Sequence, residues 1–261
     1  MQTFNDESMI LDVFRDVSIK DIALFGNFLK CKRIHHSLTG IFNRKKWIDS
    51  SGKSDPPPDF YNNHHKLMMD VMRIDDHAYV DEKGKVQNKT LQHEGELYKK
   101  YFNYPDRKDL KLFMVADTGL PSDEDHNFDR YYKNFERVFK EHEKKIDLYR
   151  SNHPGFKTIF FIFDESTAYA EAINLDDVKR KRVKGCITAA KPHFFCSDKK
   201  FVNLIKESIV DYVVWYAPWK MLQIDNGNVF PLPKCAIYDV KNLADKDLIE
   251  YNHSMMFSSE E

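Results

Sequence analysis

Two stretches fix the class of fold open to this chain. Residues 66–75 read KLMMDVMRID and residues 156–163 read FKTIFFIF. In an extended chain, alternate side chains point to opposite faces. Leu67, Met69 and Val71 therefore share one face, and Met68, Asp70, Met72 and Ile74 the other. Both faces are mainly apolar, as a strand covered on both sides requires. Between these runs lies 128–150, where Phe128, Tyr131, Tyr132, Phe135, Val138, Phe139 and Ile146 recur at helical intervals. Strand–helix–strand succession with apolar strands implies an α/β fold: a mixed, partly parallel sheet flanked by helices. With only 9 Gly and 10 Pro in 261 residues, the chain lacks the turn residues of a dense all-β barrel.

The remaining pattern is consistent with this. A helix is expected over 18–34, with Ser18 as its cap, and shorter helices over 91–102 and 198–209. Lys83-Gly84-Lys85 reads as a hairpin tip. Further strands are expected at 111–116, 186–196 and 211–217. Residues 1–240 read as one α/β domain and 241–261 as a polar, frayed tail. Lys plus Arg (40) nearly balances Asp plus Glu (41), so bulk charge does not mark a nucleic-acid binder. Local basic runs do occur, at 30–46 and 179–184, and could grip phosphates. No apolar run spans a bilayer, so no membrane partner is expected. The polar start MQTFNDESMI and four scattered cysteines point to a reducing, cytoplasmic setting.

Several chemical signals are weak. Gly52-Lys53-Ser54 ends like a phosphate-binding loop, but Trp47 stands where the first glycine belongs and three prolines follow. Cys186, His193, Cys196 and Cys235 have no compact zinc spacing and read as core. The pairs His35-His36 and His64-His65 read as surface histidines. Tyr212, Trp215, Tyr216 and Trp219 read as core aromatics or a contact surface.

Asp70 is the sharpest signal. A carboxylate in mid-strand among Met68, Met72 and Ile74 must be protonated, paired with a basic group from elsewhere, or bound to a cation, because burying a lone charge costs several kcal/mol. Pro58-Asp59 precedes it by ten intervening residues, in the approach to the same strand. This pattern resembles the PD-(D/E)XK, or restriction-endonuclease-like, nuclease superfamily over roughly residues 55–165. The resemblance implies a restriction-endonuclease-like core and a metal-dependent nuclease or phosphodiesterase acting on DNA or RNA. Asp59 and Asp70 would hold Mg²⁺ or Mn²⁺, with Glu94 or Glu96 completing the acidic cluster. The family's lysine belongs two residues after Asp70, where this chain has Met72; Lys66 or Arg73 would contact the scissile phosphate instead. Loss of that lysine also admits an alternative: a non-catalytic binding or assembly module, or an inactive nuclease-like protein that binds nucleic acid without cutting it.

Overall fold

The computed structural model describes residues 14–50, 58–101, 126–174, 176, 189–223, 229–246 and 248–259. In chain order the elements are β1 (Ile22–Phe25), α1 (Phe28–Leu38), α2 (Ile41–Arg44), β2 (Ile48–Asp49), β3 (Phe60–Asn62), β4 (Leu67–Ile74), β5 (Tyr79–Val80), β6 (Val86–Gln87) and α3 (Lys89–Tyr101). There follow α4 (Phe128–Glu143), α5 (Ile146–Asn152), β7 (Lys157–Asp164), β8 (Tyr169–Ala172), β9 (Ala190–Pro192) and α6 (Lys199–Lys206). The last elements are β10 (Tyr212–Tyr216), β11 (Leu222–Gln223), β12 (Val229–Phe230), β13 (Cys235–Asp239) and β14 (Met256–Ser258).

Seven strands form one mixed sheet in the order β1-β13-β10-β7-β4-β3-β2. Its centre is parallel: β4 pairs with β7 through Met69↔Ile159 and Asp70↔Phe160, and β7 with β10 through Ile159↔Tyr212. β3 runs antiparallel to β4, and β13 antiparallel to β10. Both faces are covered. Met72, Ile74, Phe160, Ile162 and Trp215 meet α4 and α6; Met69, Val71, Ile159 and Phe161 meet Cys31, Ile34 and Leu38 of α1. Each fully buried side chain of this size contributes about 1.5–3 kcal/mol before its entropy is counted. The α4 stripe is the expected one: Phe128, Tyr131, Phe135, Val138 and Phe139 are buried, and Asn127 caps the start by accepting from the Arg130 N–H.

Three expectations need correction. Residues 18–25 are a short 3₁₀ turn and strand β1, with the helix confined to Phe28–Leu38. Gly26 separates the two at φ +93°, and Asn27 caps the new helix by accepting from Lys30 N. The 128–150 helix breaks after Glu143 and resumes at Ile146, which lets Ile146 and Tyr149 turn inward. The polar segment after Lys241 is held down: β14 pairs with β8, and Tyr251 and Met256 are buried. The expected strand at 111–116 and the 179–184 basic run lie outside the described residues. No helix among the described residues is long and apolar enough to cross a membrane.

Gly26 gives a first test. A Cβ there would lie 2.7 Å from the Asp239 carbonyl oxygen, at a φ that L residues rarely adopt. Gly26→Ala should cost about 1–3 kcal/mol, read as a lower urea midpoint at unchanged slope.

Candidate functional site

The parallel strands β4, β7 and β10 end together at one edge of the sheet. In open α/β sheets this carboxyl edge is where ligands gather. Here β4 runs into Asp75-Asp76-His77, β7 ends on Asp164 and continues into Glu165-Ser166-Thr167, and β10 leads to Lys220. His126 joins them from just before the α4 cap.

Asp76 lies at the centre and is 0% exposed. Its Oδ2 accepts from the Tyr169 hydroxyl at 2.6 Å and the Thr167 N–H at 3.1 Å, and lies 3.2 Å from His126 Nδ1. Its Oδ1 has no hydrogen-bond partner among the described residues, although His77 Nε2 is 3.4 Å away. A contact of 3.4 Å is long for a hydrogen bond. It suits two ligands of one ion: with bonds of 2.0–2.1 Å, donors at tetrahedral angles stand about 3.3 Å apart. One donor atom from each of Asp76, His77 and His126 lies within 4.8 Å of the others. Both imidazoles are partly open to solvent while the carboxylate is enclosed. Burial alone would raise the Asp76 carboxyl. The His126 hydrogen bond and the charges of His77 and His126 outweigh it and hold the group below the usual carboxylate range.

The neighbouring layer is equally polar and equally buried. Asp164 Oδ2 accepts from the Tyr131 hydroxyl at 2.6 Å and Trp215 Nε1 at 2.8 Å; its Oδ1 accepts from the Ser166 N–H and hydroxyl at 3.0 and 2.6 Å. Lys220, 3% exposed, donates to Ser166 Oγ and to the Thr167 carbonyl and sits 3.4 Å from Asp164. Burial lowers the Lys220 pKa, and the carboxylates of Asp164 and Asp76 oppose that shift. Two enclosed carboxylates thus face one enclosed ammonium. The imidazoles of His77 and His126 balance Asp76 when protonated; when neutral they leave its charge to be met by a bound cation, with their ring nitrogens as its ligands.

Comparison of the chain with family models, with curated proteins and with solved structures finds no match. What this edge can do must therefore be read from its own atoms.

The residues singled out from the sequence lie elsewhere, on β4 and on the segments around it and on α3. Asp70 is buried on the α4–α5 face, where His142 Nδ1 lies 2.5 Å and the Tyr149 hydroxyl 3.2 Å from its Oδ2. A basic residue distant in sequence thus stands beside the buried carboxylate, one of the three fates open to it. Continuing the Phe60↔Met69 register places Asp59 opposite Asp70, with Asp59 Oδ2 accepting from Val71 N at 2.7 Å. Arg73 points to the other face and makes a two-pronged pair with Glu165, at 2.8 and 2.5 Å. Lys66 sits in the β3–β4 turn at φ +52°, its ammonium 4.9 Å from the Phe156 ring centre. Glu94 falls within α3, and its side chain lies outside the described set. Asp70 is four residues short of the end of β4, about 13 Å at the rise of a strand, so it and Asp76 cannot share an ion.

Among the described residues the zinc candidates form no cluster of metal ligands either. His193 Nε2 is 2.8 Å from Asp198, Cys196 and Cys235 are buried, and Cys186 lies outside the described residues. Burial pushes the Cys196 thiol up to about 11, which suits packing better than ligation.

Sequence reasoning passed over Asp76, His77 and His126. A usable signal existed: an Asp-Asp-His run immediately after a central parallel strand. His126 had none, being brought in by tertiary packing alone.

Proposed function

We propose that this protein is a metal-dependent hydrolase whose ion is held by Asp76, His77 and His126, with nucleic-acid phosphodiesters as its substrate class. The observation that carries the metal centre is the enclosed, unpartnered Oδ1 of Asp76, with an imidazole nitrogen at 3.4 Å. Tyr169 and the Thr167 N–H fix Oδ2 and so aim Oδ1 at the ion, while Lys220 anchors the Thr167 carbonyl. Two imidazoles and a carboxylate suit a first-row transition ion. Of the ions the sequence resemblance implies, Mn²⁺ fits this donor set and Mg²⁺ fits it poorly. A divalent ion bound there would bring a water's pKa toward neutrality and draw charge from a phosphoryl oxygen.

The phosphodiester assignment draws on the nuclease resemblance, supported by the mixed sheet between helices and by the placement of Asp59 opposite Asp70. A restriction-endonuclease-like core, with Mg²⁺ or Mn²⁺ on Asp59, Asp70 and Glu94 and a phosphate contact from Lys66 or Arg73, is the alternative placement of the same chemistry. Against it stand the engagement of Asp70 by His142 and Tyr149 and of Arg73 by Glu165. That engagement, with Met72 in the lysine position, favours a second reading: a nuclease-like scaffold that binds nucleic acid without cutting it.

Calorimetric titration with Mn²⁺ and Zn²⁺ tests the centre. Wild type should take up one ion per chain. Asp76→Asn should bind at least tenfold more weakly while still unfolding in one cooperative transition, at a lower midpoint, and Asp70→Ala should bind as wild type does. No uptake by wild type, or uptake unaffected by Asp76→Asn, would overturn the assignment. Cleavage of labelled DNA and RNA in Mn²⁺ separates the two functional readings: loss of cleavage in Asp76→Asn supports the hydrolase, and an inert but ion-loaded wild type supports the binder.

A further inference from the structure

Residues 22–48 contain no Asp or Glu, yet carry Lys30, Lys32, Arg33, Arg44, Lys45 and Lys46. The fold sorts these residues. On α1, Cys31, Ile34 and Leu38 face the sheet, and Lys30 is spent on Asp239 at 3.4 Å. The opposite face carries Phe28, Leu29, Lys32, Arg33 and His36, all exposed and spaced as one continuous stripe of a helix. The stripe runs on into α2: Asn43 bonds the His36 carbonyl at 2.6 Å, which brings exposed Phe42, Lys45 and Lys46 beside the end of α1. The large apolar groups are far from buried, with Phe28 53%, Leu29 65% and Phe42 81% exposed. Lys32 already lies 4.5 Å from the Phe28 ring centre, so a charge and a ring work side by side.

We infer that the outer face of α1 and α2 is a platform for single-stranded nucleic acid. The four exposed cations supply phosphate contacts, and the absence of any acidic residue from 22–48 gives the stripe its charge complementarity. Exposed phenyl rings stack only on bases whose faces are free, and single strands offer these while a duplex hides them. An anionic bilayer is the poorer occupant, because Phe28, Leu29 and Phe42 are interleaved with Lys32, Arg33, Lys45 and Lys46 rather than gathered into the separate apolar face that a helix lying in lipid headgroups buries. This inference rests on the nucleic-acid reading above and adds the strand form; it does not depend on the metal centre.

Fluorescence anisotropy in EDTA, with a short labelled oligonucleotide presented alone and as a duplex, measures binding with ion uptake and cleavage both silenced. The single strand should bind at least fivefold more tightly. Phe42→Ala should weaken it roughly 5- to 150-fold, the range of one lost base stack. Lys45→Ala with Lys46→Ala should flatten the slope of log affinity against log salt by about 1.4, or about 0.7 per lost phosphate contact. These side chains are exposed, so the melting temperature should hold in each variant. Equal affinity for duplex, indifference to Phe42→Ala, or no binding of either oligonucleotide would each overturn the platform. Binding of phosphatidylserine vesicles in place of the single strand would overturn it in favour of a membrane surface.

Discussion

Lys220→Met should destabilise the protein by about 3–5 kcal/mol, the usual result of removing one member of an enclosed ion pair. Methionine keeps the length and bulk of the side chain, so little packing is lost. The carboxylate of Asp164 would remain, held only by Tyr131, Trp215 and Ser166. Ser166 Oγ and the Thr167 carbonyl would each lose a buried donor. Urea denaturation gives the number. Arg73→Ala is the internal contrast: its pair with Glu165 is partly open to water and should be worth about 1 kcal/mol or less. Adding Asp164→Asn to Lys220→Met should recover much of the loss, because the stranded charge goes with it. A cost for Lys220→Met as small as that of Arg73→Ala would mean that the ammonium is not paired as described.

The second large effect is expected at Asp198. This carboxylate ties three segments together. Its Oδ2 meets His193 at 2.8 Å and His253 at 2.9 Å, while its Oδ1 caps α6 by accepting from Lys200 N. Burial alone would raise its pKa; the bonds from His193 and His253 reverse this and hold it well below the usual carboxylate range. Asp198→Ala should cost about 3–5 kcal/mol at pH 7, from a helix cap and two hydrogen bonds to a charged group. A depressed carboxylate gives stability that is complete above its unfolded value, about 3.9, and is lost as pH falls through the lower folded value. The gap between wild type and variant should therefore persist at pH 5 and close only below about pH 4. A gap that widens between pH 7 and 5 would assign the effect to protonation of the imidazoles instead, since Asp198 favours their charged form.

The elements legible in the sequence are those whose own residues carry the pattern. β4 and β7 announce themselves because both of their faces are apolar, and α4 because its stripe runs for four turns. β1 was masked by its neighbours: IALF fits the apolar rhythm of the helix that follows, and only the turn at Gly26 separates the two. β13 is five buried residues long and carries Tyr238 and Asp239, too short and too polar to stand out. β14 depends on pairing with β8, a contact between segments distant in sequence. The same limit governed the site. That Asp70 needs a partner could be read locally; that His142 is the partner could not. Asp76 and His77 are adjacent, but His126 reaches them only because α4 begins beside the carboxyl edge of the sheet.

The pairing of β1 with β13 also bears on how the chain is made. Ile22 meets Cys235 across that ladder, so β1 leaves the ribosome about two hundred residues before its partner does, a delay of roughly 10–40 s at ordinary elongation rates. Throughout that interval its hydrogen-bonding edge is unsatisfied and available to any passing strand. A nascent chain stalled before β13 should therefore recruit holding chaperones and aggregate when they are withdrawn, whereas one released after β13 should not.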